Sequence, residues 1–240
     1  MPDAPIPDQW WLWLDSAHSP AINMSIDEQL LKTAQQAKRP VLRIYQWDRP
    51  AVSIGFVQAY DAATQTTYTI VRRPTGGGVV FHDCDLTYSV IIPVGHHIYA
   101  LDRTESYREI HNAVKAAFGA LGLNTTLTSA EIPKHVDRAF MQCFTTPTRY
   151  DVVADGKKFA GSAQRRTRDG ILHQGSIDLN AAGGDRELLT KNLIEAFRSQ
   201  LKIAFADFTI SPDFLESAKK LSAKKYATEA WNIHRQTAEK

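Results

Sequence analysis

The chemistry this chain can offer is concentrated in two stretches and two thiols. The first stretch, RRPTGGGVVFHD, sets Arg72 and Arg73 against Thr75 and the triplet Gly76, Gly77, Gly78, and closes on His82 and Asp83. A Walker A loop needs Gly-Lys-Ser/Thr opening a helix, and a dinucleotide fingerprint needs G-x-G-x-x-G in the same place. TGGGVVFHD fits neither, because strand-forming residues lie on both sides of it. With no helix terminus to hold a phosphate, two readings remain. The triplet is either a glycine-rich hairpin turn, or a loop whose residues take positive φ, present successive N–H groups and let a ligand approach the main chain. The adjacent arginines suit an anionic or carbonyl-bearing ligand.

The second stretch, RYDVVADGKKFAGSAQRR, carries Asp155-Gly156 between two extended runs, a two-residue turn signal. Taken literally, that turn makes Ala154 face Lys157, Val153 face Lys158, Val152 face Phe159 and Asp151 face Ala160. Lys158 then shares its side with Val153, Ala160 and Ser162, with room for a ligand over the sheet. Lys157 falls on the Phe159 side. An ammonium so placed could donate to a carbonyl or phosphate and favour a neighbouring thiolate, although a solvated hairpin lysine is the plainer alternative. Cys143 sits in the irregular segment feeding this hairpin. Cys84 is flanked by Asp83 and Asp85, whose negative charge works against a thiolate. Either cysteine taken alone also reads as a small buried hydrophobe. With no C-x-x-C and no H-E-x-x-H, neither a disulfide framework nor a zinc site is indicated. The His96-His97 pair has no partner motif and reads as loop surface.

The elements that must position these groups follow from pattern. WWLWLD reads as a strand, and Ile22, Ile26, Leu30 and Leu31 share one face of a helix that ends near Lys38, before Pro40. PVLRIYQW, AVSIGFVQ, VVFHD and LTYSVIIPV are strands by their alternation or their β-branched and aromatic content. Tyr107, Ile110, Val114, Phe118 and Leu121 mark a helix capped at Thr104 or Ser106 and stopped near Gly122. GILHQGSIDLN is a further strand. DRELLTKNLIEAFRSQLKIAF and SPDFLESAKKLSAKKYATEAW read as helices, the second with Ser211 as N-cap and Pro212 at N1. At 240 residues and 43% hydrophobic the chain is one domain with an ordinary core, and a formal charge of +2 gives no sign of a nucleic-acid partner. The opening segment has neither a basic n-region nor an apolar run long enough for a membrane span, so a cytoplasmic protein is expected.

Taken together, RRPTGGGVVFHD, DGKKFAGSAQRR and ILHQGSI, with NMSIDEQLL, PVLRIYQWDRPAVSIGFVQ and KKYATEAWN in support, resemble the biotin/lipoate protein ligase and lipoyl transferase superfamily across most of the chain. The resemblance implies an α/β (α+β) fold, a central and mostly antiparallel sheet flanked by helices, as a single catalytic domain over 1–240 with no accessory C-terminal domain. It implies that the glycine loop hugs an acyl chain and its activated head group, and that the lysine of a K-x-x-G pattern, here Lys158 to Gly161, contacts the reacting carbonyl or phosphate. Within the superfamily, QCFTTPTRYDVV and HDCDLTYSV are similar to segments of the octanoyltransferases, where ATP-dependent ligases show R-N-D and Gly-Asn. Cys143 then falls on the acyl-carrying nucleophile. The expected site is Cys143 and Lys158 for catalysis, with Arg72, Arg73, Thr75, Gly76, Gly77, Gly78, His82, Gly161 and Ser162 binding substrate and no metal. RIYQW and SIGF are candidate walls for the acyl slot.

The implied reaction moves an octanoyl group from acyl carrier protein to a lysine of the glycine cleavage H protein or another lipoyl domain, without a cofactor. A ligase would instead use ATP and Mg²⁺, and a third possibility is a non-catalytic protein that binds lipoyl domains or acyl carriers. A DNA-binding repressor is disfavoured, since the residues before DEQLL cannot hold a helix-turn-helix. In one departure, Gln174 stands where relatives carry His, and His173 precedes it. On a strand that offset points to the other face.

Overall fold

The computed structural model describes residues 8–64, 66–130 and 147–237. Along the chain come β1 (Asp8–His18), α1 (Pro20–Ala37), β2 (Val41–Trp47), β3 (Ala51–Ile54), a 3₁₀ turn (Tyr60–Ala63), β4 (Thr69–Arg72), β5 (Val80–His82) and β6 (Asp85–Pro93). Next are α2 (His97–Ala100), α3 (Arg103–Ala120), β7 (Thr126–Leu127), β8 (Val152–Ala154), β9 (Lys157–Arg166) and β10 (Gly170–Asp178). The remainder is α4 (Arg186–Leu201), β11 (Ile203–Asp207), α5 (Pro212–Leu221), a π turn (Ser222–Tyr226) and α6 (Glu229–Asn232).

Eight strands form one sheet in the order β11-β1-β2-β6-β10-β9-β8-β7, antiparallel except where β1 pairs with its two neighbours. β6 is buried along its whole length because helices cover both faces. On one face Tyr88, Val90 and Ile92 meet Ile110, Val114 and Phe118 of α3 and Leu193 and Phe197 of α4. On the other, Val41, Ile91 and Leu172 meet Ile26, Leu30 and Leu31 of α1 and Ala218 of α5. Each fully buried leucine or phenylalanine contributes about 2 kcal/mol. Leu42 and Ile44 face the first cluster while Arg43 and Tyr45 face α1, as their alternation predicts.

Three local expectations change. The α3 cap is Asp102, whose carboxylate accepts from the Glu105 N–H at 2.9 Å, not Thr104 or Ser106; an aspartate three residues ahead of that N–H reaches it directly. The helix predicted through Phe205 stops at Leu201, where Lys202 turns left-handed (φ 55°), and Ile203–Asp207 instead pairs with the open edge of β1. LKIAF is a short apolar run that periodicity alone cannot assign. The third change concerns the hairpin. Asp155 (φ 48°) and Gly156 (φ 72°) form the expected turn with both central residues at positive φ. Ala154 does face Lys157, and Val153 faces Lys158, but Val152 then pairs with Ala160 instead of Phe159. Phe159 is the extra residue of a β-bulge, drawn to Phe118 at 5.5 Å in the core.

Candidate active site

The bulge decides what Lys158 can do. Past it, Gly161 and Ala163 lie on the Lys158 side of the sheet, while Ala160 and Ser162 face α3. The Lys158 side chain, 2% exposed, lies across Gly161 so closely that a Cβ there would fall 2.2 Å from its Cε. This accounts for the K-x-x-G spacing and corrects the face assigned to Ala160 and Ser162. The Ser162 hydroxyl instead donates to His111 Nε2 at 2.6 Å, because His111 Nδ1–H is committed to the Tyr150 carbonyl at 2.6 Å. Lys158 Nζ is paired at 2.8 Å with Asp151 Oδ2, a carboxylate buried beneath the sheet edge.

The glycine loop connects β4 to β5, which do not pair with each other; β3 lies between them in a second, three-stranded sheet. The stretch is therefore not a hairpin turn. Arg73 organises it: Nε and Nη2 donate to the Gly76 carbonyl (3.0 and 2.7 Å), Nη2 also to Gly78 O (2.6 Å), and Nη1 to Ser53 O and Oγ (2.9 and 3.1 Å). Only Gly77 of the triplet takes a positive φ (84°), and a Cβ there would meet Arg73 Nη2 at 2.9 Å and Ala163 Cβ at 3.3 Å. The loop thus closes over β9 beside Gly161. Arg72 points elsewhere. Its guanidinium donates to the carbonyls of Gly55, Phe56, Gln58 and Asn232, and burial lowers its pKa to about 10. It joins the strand before the loop to α6, with its guanidinium donors taken up by backbone carbonyls.

Loop and sheet border a small cavity of about 30 Å³ that opens to solvent through a mouth. Tyr45 and Trp47 of RIYQW and Ser53 of SIGF line it, as do Met24, Val80 and Ala163. Gln174 also lines it, and its amide explains the departure from histidine: Nε2 donates to Asp27 at 2.8 Å and Oε1 accepts from Thr75 Oγ1 at 2.7 Å. Asp27 in turn holds the fully buried Arg43 (2.6 Å), which also pairs with Asp15 (2.7 Å). Helix α1 is thereby tied to Thr75 at the base of the loop. His173 lies on the opposite face among Tyr88, Tyr107 and His111, with both ring nitrogens unpartnered among the described residues; burial holds its pKa well below the ordinary value.

His82 stacks on Trp47 (4.1 Å between centroids) and sits between Ser53 Oγ on Nε2 (2.8 Å) and Asp85 Oδ2 on Nδ1 (2.8 Å). Asp85 also accepts from Thr87 and Ser176, and these donors together hold its carboxyl below the usual range despite burial. His82 reaches the loop through Ser53 and Arg73, consistent with an orienting part. Sequence reasoning passed over Asp85, Asp151, Asp27 and Arg43. The H-D-x-D spacing was a signal for the first; the others depend on long-range packing. Cys84 is exposed, not a buried hydrophobe. Cys143 lies outside the described residues. His96 pairs with Asp8 at 2.5 Å, and with His97 the three offer ligand-type atoms within 4.8 Å of one another.

Residues 19–224 match the lipoyl protein ligase A/B catalytic domain, and the chain belongs to that family. Within it, the chain is 32% identical to the octanoyltransferase LipM of Anoxybacillus flavithermus, over 94% of this chain and 98% of that one. The octanoyltransferase LipM of Bacillus subtilis gives the same identity and coverage. Lipoate-protein ligase A bound with ATP shares the fold (TM-score 0.76, 24% identity, 94% of this chain and 98% of that one). So does the bi-partite lipoate protein ligase of Thermoplasma acidophilum (TM-score 0.74, 23% identity, 96% and 98%).

Proposed function

We propose that this protein is an octanoyltransferase of protein lipoylation, acting through a thioester on Cys143. The observation that carries the reading is Lys158, fixed by Asp151 across Gly161, which lines the cavity together with Gly77 of the glycine loop. The kinship with LipM octanoyltransferases supports it. Cys143, as thiolate, attacks the thioester carbon of octanoyl-acyl carrier protein; the new C–S bond forms as the carrier's C–S bond breaks and its thiolate leaves, to be protonated by solvent. The ε-amine of a lipoyl-domain lysine then attacks octanoyl-Cys143. A C–N bond forms, the Cys143 thiolate departs and the amine's proton is released. An amide is more stable than a thioester, so the sequence runs without ATP. Lys158 and loop N–H groups around Gly76 to Gly78, whose carbonyls at Gly76 and Gly78 are held by Arg73, stabilise the oxyanion. The acceptor is the glycine cleavage H protein or another lipoyl domain.

Intact-mass measurement after mixing with octanoyl-acyl carrier protein, ATP omitted, tests this. The wild type should gain one octanoyl group, lost in Cys143→Ser and passed to an added lipoyl domain. Modification of the lipoyl domain only with ATP and Mg²⁺, at full rate in Cys143→Ser, would establish a ligase instead.

A further inference from the structure

The mechanism above uses Lys158 but leaves unexplained how an ammonium is kept charged in a nearly dry position. A buried amine without a counter-charge sheds its proton. Asp151 is itself fully buried and is held from three directions: the Thr148 N–H and hydroxyl donate to Oδ2 (2.6 and 2.9 Å), Tyr107 OH contacts Oδ1 (3.2 Å), and Lys158 Nζ completes the set (2.8 Å). Tyr107 is anchored in turn to the Ser162 carbonyl and N–H (2.6 and 3.0 Å), and His111, one turn along α3, fixes the adjoining Tyr150 carbonyl. Tyr150 has a positive φ of 69°, a backbone that a non-glycine residue adopts only when its surroundings impose it. Helix α3 thus pins both the segment bearing Asp151 and the strand bearing Lys158.

The geometry points to Asp151, held by Tyr107 and Thr148, as the positioning residue that keeps Lys158 a fixed positive charge over Gly161. Lys158 is then an electrostatic group and not the proton acceptor of the reaction. This rests on the transferase reading, in which Lys158 favours the Cys143 thiolate.

The test is a double-mutant cycle read by the rate at which iodoacetamide alkylates Cys143 at neutral pH, located by peptide mass, with octanoyl-Cys143 formation followed in parallel. Asp151→Asn and Lys158→Met should each slow alkylation and acylation, acylation by on the order of 100-fold, and Asp151→Asn should cost nothing further in a Lys158→Met background. Should Asp151→Asn fail to fold, Tyr107→Phe serves in its place, with about a tenfold loss that likewise vanishes when Lys158 is absent. Full rates in Asp151→Asn, or equal losses with and without Lys158, would overturn the assignment. The alkylation arm needs no acyl donor. Normal Asp151 coupling there with no octanoyl adduct on the wild type would refute transfer and leave the Asp151 assignment standing.

Discussion

The three glycines of the loop have unequal burdens. Gly77 combines a φ of 84° with a Cβ position 2.9 Å from Arg73 Nη2, whereas nothing lies within 4 Å of a Cβ on Gly76. Gly76→Ala should therefore leave thermal stability and acyl transfer near wild type, and Gly77→Ala should cost about 2 kcal/mol and most activity; melting curves and adduct mass check both. Gly161→Ala should abolish acyl transfer while the protein stays folded, because the methyl would displace the Lys158 side chain that lies across Gly161. Adduct formation at the wild-type rate in Gly161→Ala would contradict the placement. The turn itself was legible in sequence, since Asp155-Gly156 is a signal complete in two residues. The bulge was not, because Phe159 leaves register for Phe118, a partner distant in sequence. That one slip moved Ser162 to the other face. The motif spacing identified Lys158 and Gly161, and side-chain packing decided why they go together.

Among the elements, β1, β2, β6, β8, β9 and β10 of the central sheet and helices α1, α3 and α5 follow from periodicity and turn signals, whereas β7 lies in a stretch with no clear period. β11 does not follow from them either, because its state is decided by the vacant edge of β1 and not by its own residues. Arg72 shows the same limit: its type suggested a substrate anion, yet its donors face four backbone carbonyls contributed by the loop after β3 and by α6. Arg72→Met should lower stability by about 3 kcal/mol or more through those orphaned acceptors. Asn232→Ala should lower it less, since the Asn232 backbone carbonyl remains and only the side-chain bonds to Arg72 N–H and Tyr226 O are lost. In denaturant titrations both variants should show the shift, with octanoyl-Cys143 formation per folded molecule retained. A selective loss of acylation in a fully stable Arg72→Met protein would establish it as a substrate ligand.

Across the whole molecule, two histidines are buried uncharged on the α3 face. Burial foremost lowers the pKa of His111 to about 4, and burial with His111 nearby holds His173 well below the ordinary histidine value. Groups whose folded pKa is depressed add stability above the unfolded value, about 6.5 for histidine, and that contribution is lost as the pH falls through the folded one. Stability should thus decline between about pH 6.5 and 4, and His173→Phe should flatten part of that slope in melting curves across the range. Glu28 follows at lower pH. Burial raises its carboxyl, but Lys225, Lys32 and Tyr226 outweigh that and bring the pKa to about 2, so its share is present above about pH 4.5 and disappears below. Among the described residues no helix is long and apolar enough to cross a membrane.

The Arg72 junction also bears on the order in which the site is made. Its last acceptors, on Asn232, are 160 positions downstream, so on the ribosome the strand entering the glycine loop waits for those further residues before its buried cation has its full set of partners. Such a distant closure makes loop assembly a late folding event. A nascent chain stalled before Tyr226 should carry a loose, protease-sensitive Thr69–Gly78 segment, and would be silent toward acyl donors during its own synthesis.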